Sequence, residues 1–462
     1  MQHSFIISDA HLSEAIPGND LWMRYRQKRF FPDGDFAGLL DHLRAQHGDE
    51  PLEFIFNGDL FDFDAPIIVD GKPRFHDQPR TEEATVLMLS RILNDHDVFV
   101  NALGRWIAAG HRLVFVSGNH DAQLVFEGVR DLLTRRIVLA ARGQGATATD
   151  EELANFIIYR AWFYVTPAGV HVEHGHQYDW LCSFRYPTEP FTQDGTSVQP
   201  NAGSLTTRHL AGRLGYINPY VDRSFMLTLP QYLWHWVRYY LISKKFILWI
   251  WLKGAWKTAG SILRHRSKPD AGRETRMVAI GTEESRADAA RVREHASFFE
   301  PPSEDALFRV MRELWIDRVG WASIGGLAVA SFFAVRPLVS AIIGLSVSGG
   351  FIGYELLTPK RTLQEIYGQV DARAHDLARL YGSRGVVFGH THASYGAFEN
   401  NIFFGNTGMW SAAFHDVACA KPITTGRPVI WLRSKEDGTA VRGGLYVWRD
   451  GVLIAEAARS RV

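Results

Sequence analysis

The sequence predicts an α/β fold that is interrupted by a long helical insertion. Short β-type runs alternate with helical patterns through the first 180 or so residues, and similar strands return near the end. The roughly 200 residues between them are helical and aromatic in character. Ser4 to Ser8, Glu53 to Asn57, Arg112 to Ser117 and Gly169 to Glu173 are the early strands, each leading into polar residues. Phe36 to Gln46 and Glu82 to Ala109 carry apolar residues at helical spacing and are expected as crossover helices. At the far end, Gly385 to Phe388, Asn401 to Phe404, Pro428 to Leu432 and Leu445 to Trp448 are expected as strands separated by glycine-containing turns.

At 462 residues the chain exceeds the size at which one hydrophobic core stops growing, so it needs a large elaborated domain or more than one. Three parts are expected: 1–179, an insertion over 180–379, and 380–462. Fifty basic side chains balance fifty acidic ones, which argues against a surface given over to nucleic acid. Two cysteines, Cys182 and Cys419, are too few for a disulfide framework and point to a reducing compartment. The opening residues MQHSFIISDAHL lack the basic region and long apolar core of a secretory signal. A cytoplasmic location follows as the expectation.

Five segments place Asp, His or Asn where predicted strands end, which is where open α/β sheets gather ligands. They are Asp9-x-His11, Gly58-Asp59, Gly118-Asn119-His120-Asp121, His174-Gly175-His176 and Gly389-His390-Thr391-His392. Carboxylate oxygen and neutral imidazole suit a hard or borderline divalent cation, and no thiolate accompanies them. Asp62, Asp64, His76, Asp179 and His415 lie near these blocks, but turn formation and capping explain them equally well, so they are left outside the ligand set.

In order and in glycine placement the five blocks resemble the calcineurin-like metallophosphoesterase superfamily. The resemblance covers about Met1 to Asp179 and Ser383 to Trp410. It implies a β-sandwich of two mixed sheets flanked by helices, interrupted here by the insertion. It further implies two divalent metal ions, manganese first with iron or zinc as alternatives. One would be held by Asp9, His11, Asp59 and His392, the other by Asp59, Asn119, His174 and His390, with Asp59 between them. In such centres two cations clamp the phosphoryl oxygens, and a bridging hydroxide attacks a phosphate monoester, diester or pyrophosphate. By the same resemblance His120 protonates the leaving group or stabilises charge on the phosphoryl group, and Asp121 orients it. His176, two residues beyond His174, is expected behind the ligands rather than among them.

The insertion carries two further signals. From Val319 to Tyr354 the only charged side chain is Arg336, beside Pro337, which divides the stretch into arms of about 17 residues each. A membrane span takes ~20 apolar residues, so each arm is marginal alone and a hairpin is the natural form. Four ligand blocks precede this stretch and the fifth follows it, so the chain crosses a membrane an even number of times or not at all. Upstream, 232–266 mixes Trp, Tyr, Leu and Ile with seven Lys and Arg and no acid, a composition that suits a lipid interface. A buried hairpin within a soluble cap is the plainer alternative for 319–354. Thr258 to Ser303, rich in Arg, Glu and Ser, is expected as a solvated helix or linker.

Within the superfamily, IISDAHL and GDLFD are similar to the hydrolases of UDP-diacylglucosamine, which work at the cytoplasmic membrane face, although those enzymes carry Arg where this chain has His120. The leading expectation is a phosphohydrolase acting on a lipid-linked or membrane-embedded phosphate, with the membrane surface rather than nucleic acid as its partner. A DNA nuclease or soluble nucleotide phosphodiesterase is the rival enzyme class, and a non-catalytic membrane-recruitment platform is the non-enzymatic one.

Overall fold

The structure is a computed structural model. It describes residues 3–18, 20–48, 50–74, 80–216, 230, 233–234, 236–241, 247–333, 336–357, 363–424, 426–434 and 440–456. His76, Tyr232, Lys244 and Lys245 lie outside these residues.

Fourteen strands occur among the described residues. β1 (His3–Ile7), β2 (Leu52–Asn57), β3 (Ile67–Val69), β4 (Lys72–Arg74), β5 (Arg112–Val116), β6 (Ile157–Arg160), β7 (Phe163–Val165) and β8 (Val170–Glu173) precede the insertion. β9 (Gly385–Phe388), β10 (Tyr395–Glu399), β11 (Ile402–Asn406), β12 (Arg427–Ser434), β13 (Val441–Arg449) and β14 (Val452–Ala455) follow it. Seven strands form one sheet in the order β14-β13-β12-β1-β2-β5-β6, and five form a second in the order β10-β11-β9-β8-β7. β1, β2, β5 and β6 are mutually parallel, as are β8, β9 and β11, while β12, β13, β14, β10 and β7 pair antiparallel with their neighbours. β3 and β4 pair by themselves.

Period-two alternation explains the sandwich. Ile6, Ile55, Val114 and Val116 face inward and meet Val170, Val172, Val387 and Phe403 of the second sheet. Their neighbours Phe5, Ile7, Phe54, Phe56, Leu113 and Phe115 face the other way, against Phe36, Leu40, Leu89, Leu103 and Val129 of the helices Asp33–His47, Glu82–Asp95, Asp97–Ala108 and Glu127–Gly143. Both faces of the central strands are therefore covered, which is why β1, β2 and β5 read as continuous apolar runs. Because the sheets stack with their parallel strands aligned, the C-terminal ends of β1, β2, β5, β8 and β9 gather at one rim. Asn57 Nδ2 fastens that rim by donating to the carbonyls of Glu173 (2.9 Å) and Val387 (3.3 Å).

Three expectations are corrected. The single crossover helix over Glu82 to Ala109 is two helices, broken at His96, whose buried ring lies 2.8 Å from Asp33 Oδ1 and 3.1 Å from the Ser13 carbonyl. The strand pattern missed β10, which pairs with β11 as a hairpin through Asn400 and Asn401, both in the left-handed region. The Thr258 to Ser303 stretch is a packed element rather than a solvated linker. Met277, Val278 and Val292, from the helices Ala271–Ser285 and Ala289–Ala296, are buried against Trp162 and Phe163. Full burial of such side chains contributes ~1.5–3 kcal/mol each, so three of them suffice to seat two otherwise polar helices.

His295 on the second of these helices reaches Glu173, the last residue of β8. The buried Glu173 carboxylate accepts from Trp162 Nε1 (3.1 Å), Tyr178 Oη (2.9 Å), His171 Nε2 (3.2 Å) and His295 Nε2 (3.2 Å). This donor set holds the carboxyl well below the usual carboxylate range in spite of burial, which opposes ionisation.

The rest of the insertion has its own apolar cluster: Trp180, Leu205, Leu210, Ala255, Ala259, Ile262, Val310, Leu314 and Ile316. From it project Ile316–Ser331 and Pro337–Leu357, packed side by side as a helical hairpin. Ser340 Oγ donates to the Ser331 carbonyl near the tip, while Arg318–Glu355 (3.1 Å) and Tyr354–Asp317 (2.5 Å) close the base. The arms are unequal, at 16 and 21 residues. Among the described residues only Pro337–Leu357 is long and apolar enough to cross a membrane. Little of the hairpin is buried: Leu338 is 74% exposed, Leu345 75% and Leu356 80%. The hairpin is not part of this chain's own buried core.

Candidate metal centre

Each functional side chain stands in the first few residues beyond a strand, and five sit on strained backbone. Asp9, His11, Asp59, His390 and His392 all have positive φ, between 47° and 66°. Non-glycine residues rarely adopt this region, and a run of them at one rim marks a place where the surrounding structure holds side chains against local preference. The loops after β1 and β2 are zipped together by His11 N–H to Asp59 O (2.9 Å), Leu12 N–H to Leu60 O (2.8 Å) and Asp62 N–H to Leu12 O (2.9 Å).

Two clusters result, each with its ligand atoms within 4.8 Å of one another: Asp9, His11 and His392, and Asp59, His174 and His390. His392 Nε2 lies 3.2 Å from Asp9 Oδ1, and the Nε2 atoms of His11 and His392 are 3.4 Å apart. His174 Nε2 lies 3.2 Å from Asp59 Oδ2 and 4.0 Å from Asp9 Oδ1, so the clusters adjoin. Asp59 also accepts from the His120 backbone N–H through Oδ1 (2.8 Å).

Divalent cations fit these residues. Asn119 Oδ1 is buried without a hydrogen-bond partner, and Asp9 Oδ1 and His174 Nε2, although 3.2 Å from His392 and Asp59, make no aligned hydrogen bond, which is costly unless something else occupies the space they share. The Nδ1 of His174 is committed to the Asn57 carbonyl at 2.8 Å, a contact that turns Nε2 toward the two aspartates. The electrostatics agree. Burial opposes ionisation of Asp9 and Asp59, yet facing imidazoles hold both carboxyls below the usual range, His174 and His392 for Asp9, His174 and His120 for Asp59. Burial pulls His174 down, but Asp59 and Asp9 outweigh it and raise it to about 9, so a bound cation would take the place of that proton between the carboxylates. His11 is pushed down to about 3 by burial, as suits a neutral ligand nitrogen.

His120 lies at the edge of the clusters, its ring centroid 5.0 Å from that of His11. The expected role of Asp121 is corrected here. Its oxygens take the backbone N–H groups of Leu60 (2.7 Å), Phe61 (3.3 Å) and Gly118 (2.6 Å), so it ties two ligand loops together. The carboxylates on His120 Nδ1 are those of Asp62 (3.2 Å) and Asp64 (3.4 Å), two residues left out of the sequence-based set. Desolvation lowers the pKa of His120, but Asp59, Asp62 and Asp64 outweigh it and hold the ring protonated well above its ordinary range. A cue was present in the sequence: Asp62 and Asp64 interleave with Phe61, Phe63 and Ala65, an unusual setting for solvated carboxylates.

Asp179 was also left out, and its Oδ2 lies 3.1 Å from His390 Nε2, a carboxylate behind an imidazole that fixes the ring. His176 stands on a 3-10 turn rather than an extended segment, because Gly175 turns the chain. Its ring centroid is 5.4 Å from that of His174 and 6.4 Å from that of His390, and burial holds it neutral, with its pKa well below the ordinary value. His415 remains an exposed turn residue.

The family model for calcineurin-like phosphoesterases matches residues 4–209, which takes in the first four ligand blocks. Among curated proteins none matches the chain. The fifth block, His390 and His392, arrives on β9, paired in parallel with β8 beside His174. With that strand in place the fold, the rim and the donor set agree with the family match, and the chain carries a calcineurin-like phosphoesterase domain, matched over residues 4–209, with the ligand groups of a metal-dependent phosphoesterase.

Proposed function

We propose that this enzyme cleaves a phosphate ester or pyrophosphate on a lipid-linked or membrane-embedded substrate, at the cytoplasmic face of a membrane, with a binuclear centre. Asp9, His11, Asp59 and His392 would hold one divalent cation and Asp59, Asn119, His174 and His390 the other. Bound manganese ions would supply Lewis-acid polarisation of the phosphoryl oxygens and of the attacking water. The protein's own groups do the rest. Asp59 would lie between the cations, and the Asn57 carbonyl and Asp179 fix the rings of His174 and His390. His120, its Nδ1 set against Asp62 (3.2 Å) and Asp64 (3.4 Å), would give a proton to the leaving-group oxygen.

The observation that carries the lipid reading is the hairpin. Pro337–Leu357 is 21 residues long, or about 31 Å at the helical rise, and 6% of its apolar window is buried. The helix Ile247–Arg264 supports it with exposed Trp249 and Trp256 alongside Lys253 and Lys257, rings and charges placed as at a headgroup layer.

Fractionation of the full chain tests the reading. Retention on membranes through a high-salt wash and then a carbonate wash is expected. A chain found wholly in the supernatant before any wash ends the lipid proposal, and one whose manganese-loaded form is unaffected by Asp59→Asn ends the binuclear one.

A further inference from the structure

His120 is held from an unexpected direction. Asp64, which faces its Nδ1, is fully buried, and its Oδ1 receives Arg80 Nη2 (2.5 Å) and Arg208 Nε (2.6 Å). Arg80 belongs to the phosphoesterase domain and braces itself on the Gln199 carbonyl (3.3 Å). Arg208 comes from the helical region beyond Asp179, at the end of the stretch that the family model matches. It lies 144 residues beyond Asp64 on a π-helical turn, Thr207–Ala211, and is 5% exposed. Its Nη2 also donates to the Phe63 carbonyl (3.0 Å), so one guanidinium grips both a backbone and a side-chain oxygen of the segment that carries Asp64.

The π-helical turn is itself fixed by the insertion. The helix Ile247–Arg264 crosses it at Gly254, where a Cβ would stand 2.5 Å from Leu210 Cδ2 and 2.7 Å from the His209 carbonyl oxygen. Leu210 and Ala255 share one apolar cluster with Val310, Leu314 and Ile316, the last being the first residue of the hairpin. Packed contacts thus run from the hairpin base through Gly254, Leu210 and Arg208 to Asp64 and His120. Arg80 and Arg208 thus reach the same buried Asp64 oxygen, one from each side of the ligand block at His174 in sequence.

We propose that Arg208 is a positioning residue: through Asp64 it fixes the imidazole of His120, so that proton delivery to the leaving group depends on how the helical insertion is seated. This rests on the role proposed for His120 above. It makes the insertion a regulator of the catalytic step as well as a platform for substrate.

Leaving-group dependence is the readout, because a misplaced proton donor matters most when the departing oxygen is basic. The full chain, loaded with manganese, is assayed on p-nitrophenyl and phenyl esters of the same phosphoryl group. Arg208→Lys is expected to lower kcat on the phenyl ester ~10-fold and on the p-nitrophenyl ester less than about two-fold, with KM and bound metal unchanged. Gly254→Ala, which touches neither Asp64 nor His120, should show the same pattern at about three-fold, and it carries the test if Arg208→Lys does not fold. His120→Asn is the benchmark, with a loss of ~10²-fold on the phenyl ester. If His120→Asn is sensitive to the leaving group while both insertion variants slow the two esters equally, the coupling is refuted and the role of His120 stands. If His120→Asn is itself insensitive, the role of His120 falls and the inference falls with it.

Discussion

Gly118→Ala should disable the enzyme without removing any functional group. A Cβ at Gly118 would lie 2.2 Å from Asp59 Oδ1, 2.9 Å from its Cγ and 2.5 Å from its backbone nitrogen. Ordinary carbon–oxygen contact begins above 3 Å, so the Asp59 carboxylate must retreat by ~1 Å. The backbone nitrogen bars a simple rotation as the way out. Asp59 belongs to one ligand cluster, contacts the His174 ring that reaches Asp9 of the other, and accepts from the His120 N–H, so the same shift disturbs the proposed metal pair and the loop that carries His120. A ~1 Å misplacement of reacting groups costs ~10²-fold in rate, about 2.7 kcal/mol of transition-state stabilisation. The assay is kcat on a soluble aryl phosphate at saturating manganese, with metal content measured on the same preparation. Loss of ~10²-fold, with fewer than two metals retained after dialysis, is expected. A Gly118→Ala enzyme with wild-type kcat and two bound metals would show that Asp59 does not stand between the cations, and the ligand assignment would have to be redrawn.

Four further outcomes are expected. Asp121→Asn turns an N–H toward backbone donors at Leu60, Phe61 or Gly118, so metal affinity and melting temperature should fall while the ratio of rates on phenyl and p-nitrophenyl esters holds; a changed ratio would return Asp121 to the proton donor. Met277→Ala should cost about 2–3 kcal/mol in chemical unfolding, and a neutral result would mean that the helices over 271–296 do not pack on Trp162. Glu173→Gln should cost ~2–3 kcal/mol at neutral pH. Since the folded carboxyl is depressed below its ordinary 4.5, its stabilisation is present above that pH and lost as pH falls below it, so wild-type melting should drop on acidification more steeply than that of the variant. Leu345→Asp with Leu338→Asp should shift the chain from the membrane to the soluble fraction while leaving kcat on a soluble aryl ester within about two-fold, and undiminished membrane retention would exclude the hairpin as the anchor.

Features that were legible in the sequence are those whose physics is local. A β-strand ending in a glycine turn and an Asp, Asn or His is a pattern a few residues long, and five such blocks in order carried the family resemblance that proposed Asp9, His11, Asp59, Asn119, His174, His390 and His392 as ligands, while the α/β class followed from the alternation around them. The exposed hairpin was legible for the same reason: an apolar run broken by Arg336-Pro337 carries its signal in composition.

Contacts between distant residues were not legible. Nothing near His120 tells whether Asp121, one residue away, or Asp62 and Asp64, 58 and 56 residues away, will meet its ring. That choice is made by the zipping of the β1 and β2 loops and by an arginine that arrives 144 residues after Asp64. The polar stretch from Thr258 to Ser303 misled for a related reason, since three buried side chains among many charges leave a weak periodic signal yet seat two helices once Trp162 and Phe163 are there to receive them. By itself, then, the sequence determined which residue types could hold cations and at which strand ends. The tertiary structure alone decided which carboxylate serves which imidazole, because that is settled by the packing of segments far apart along the chain.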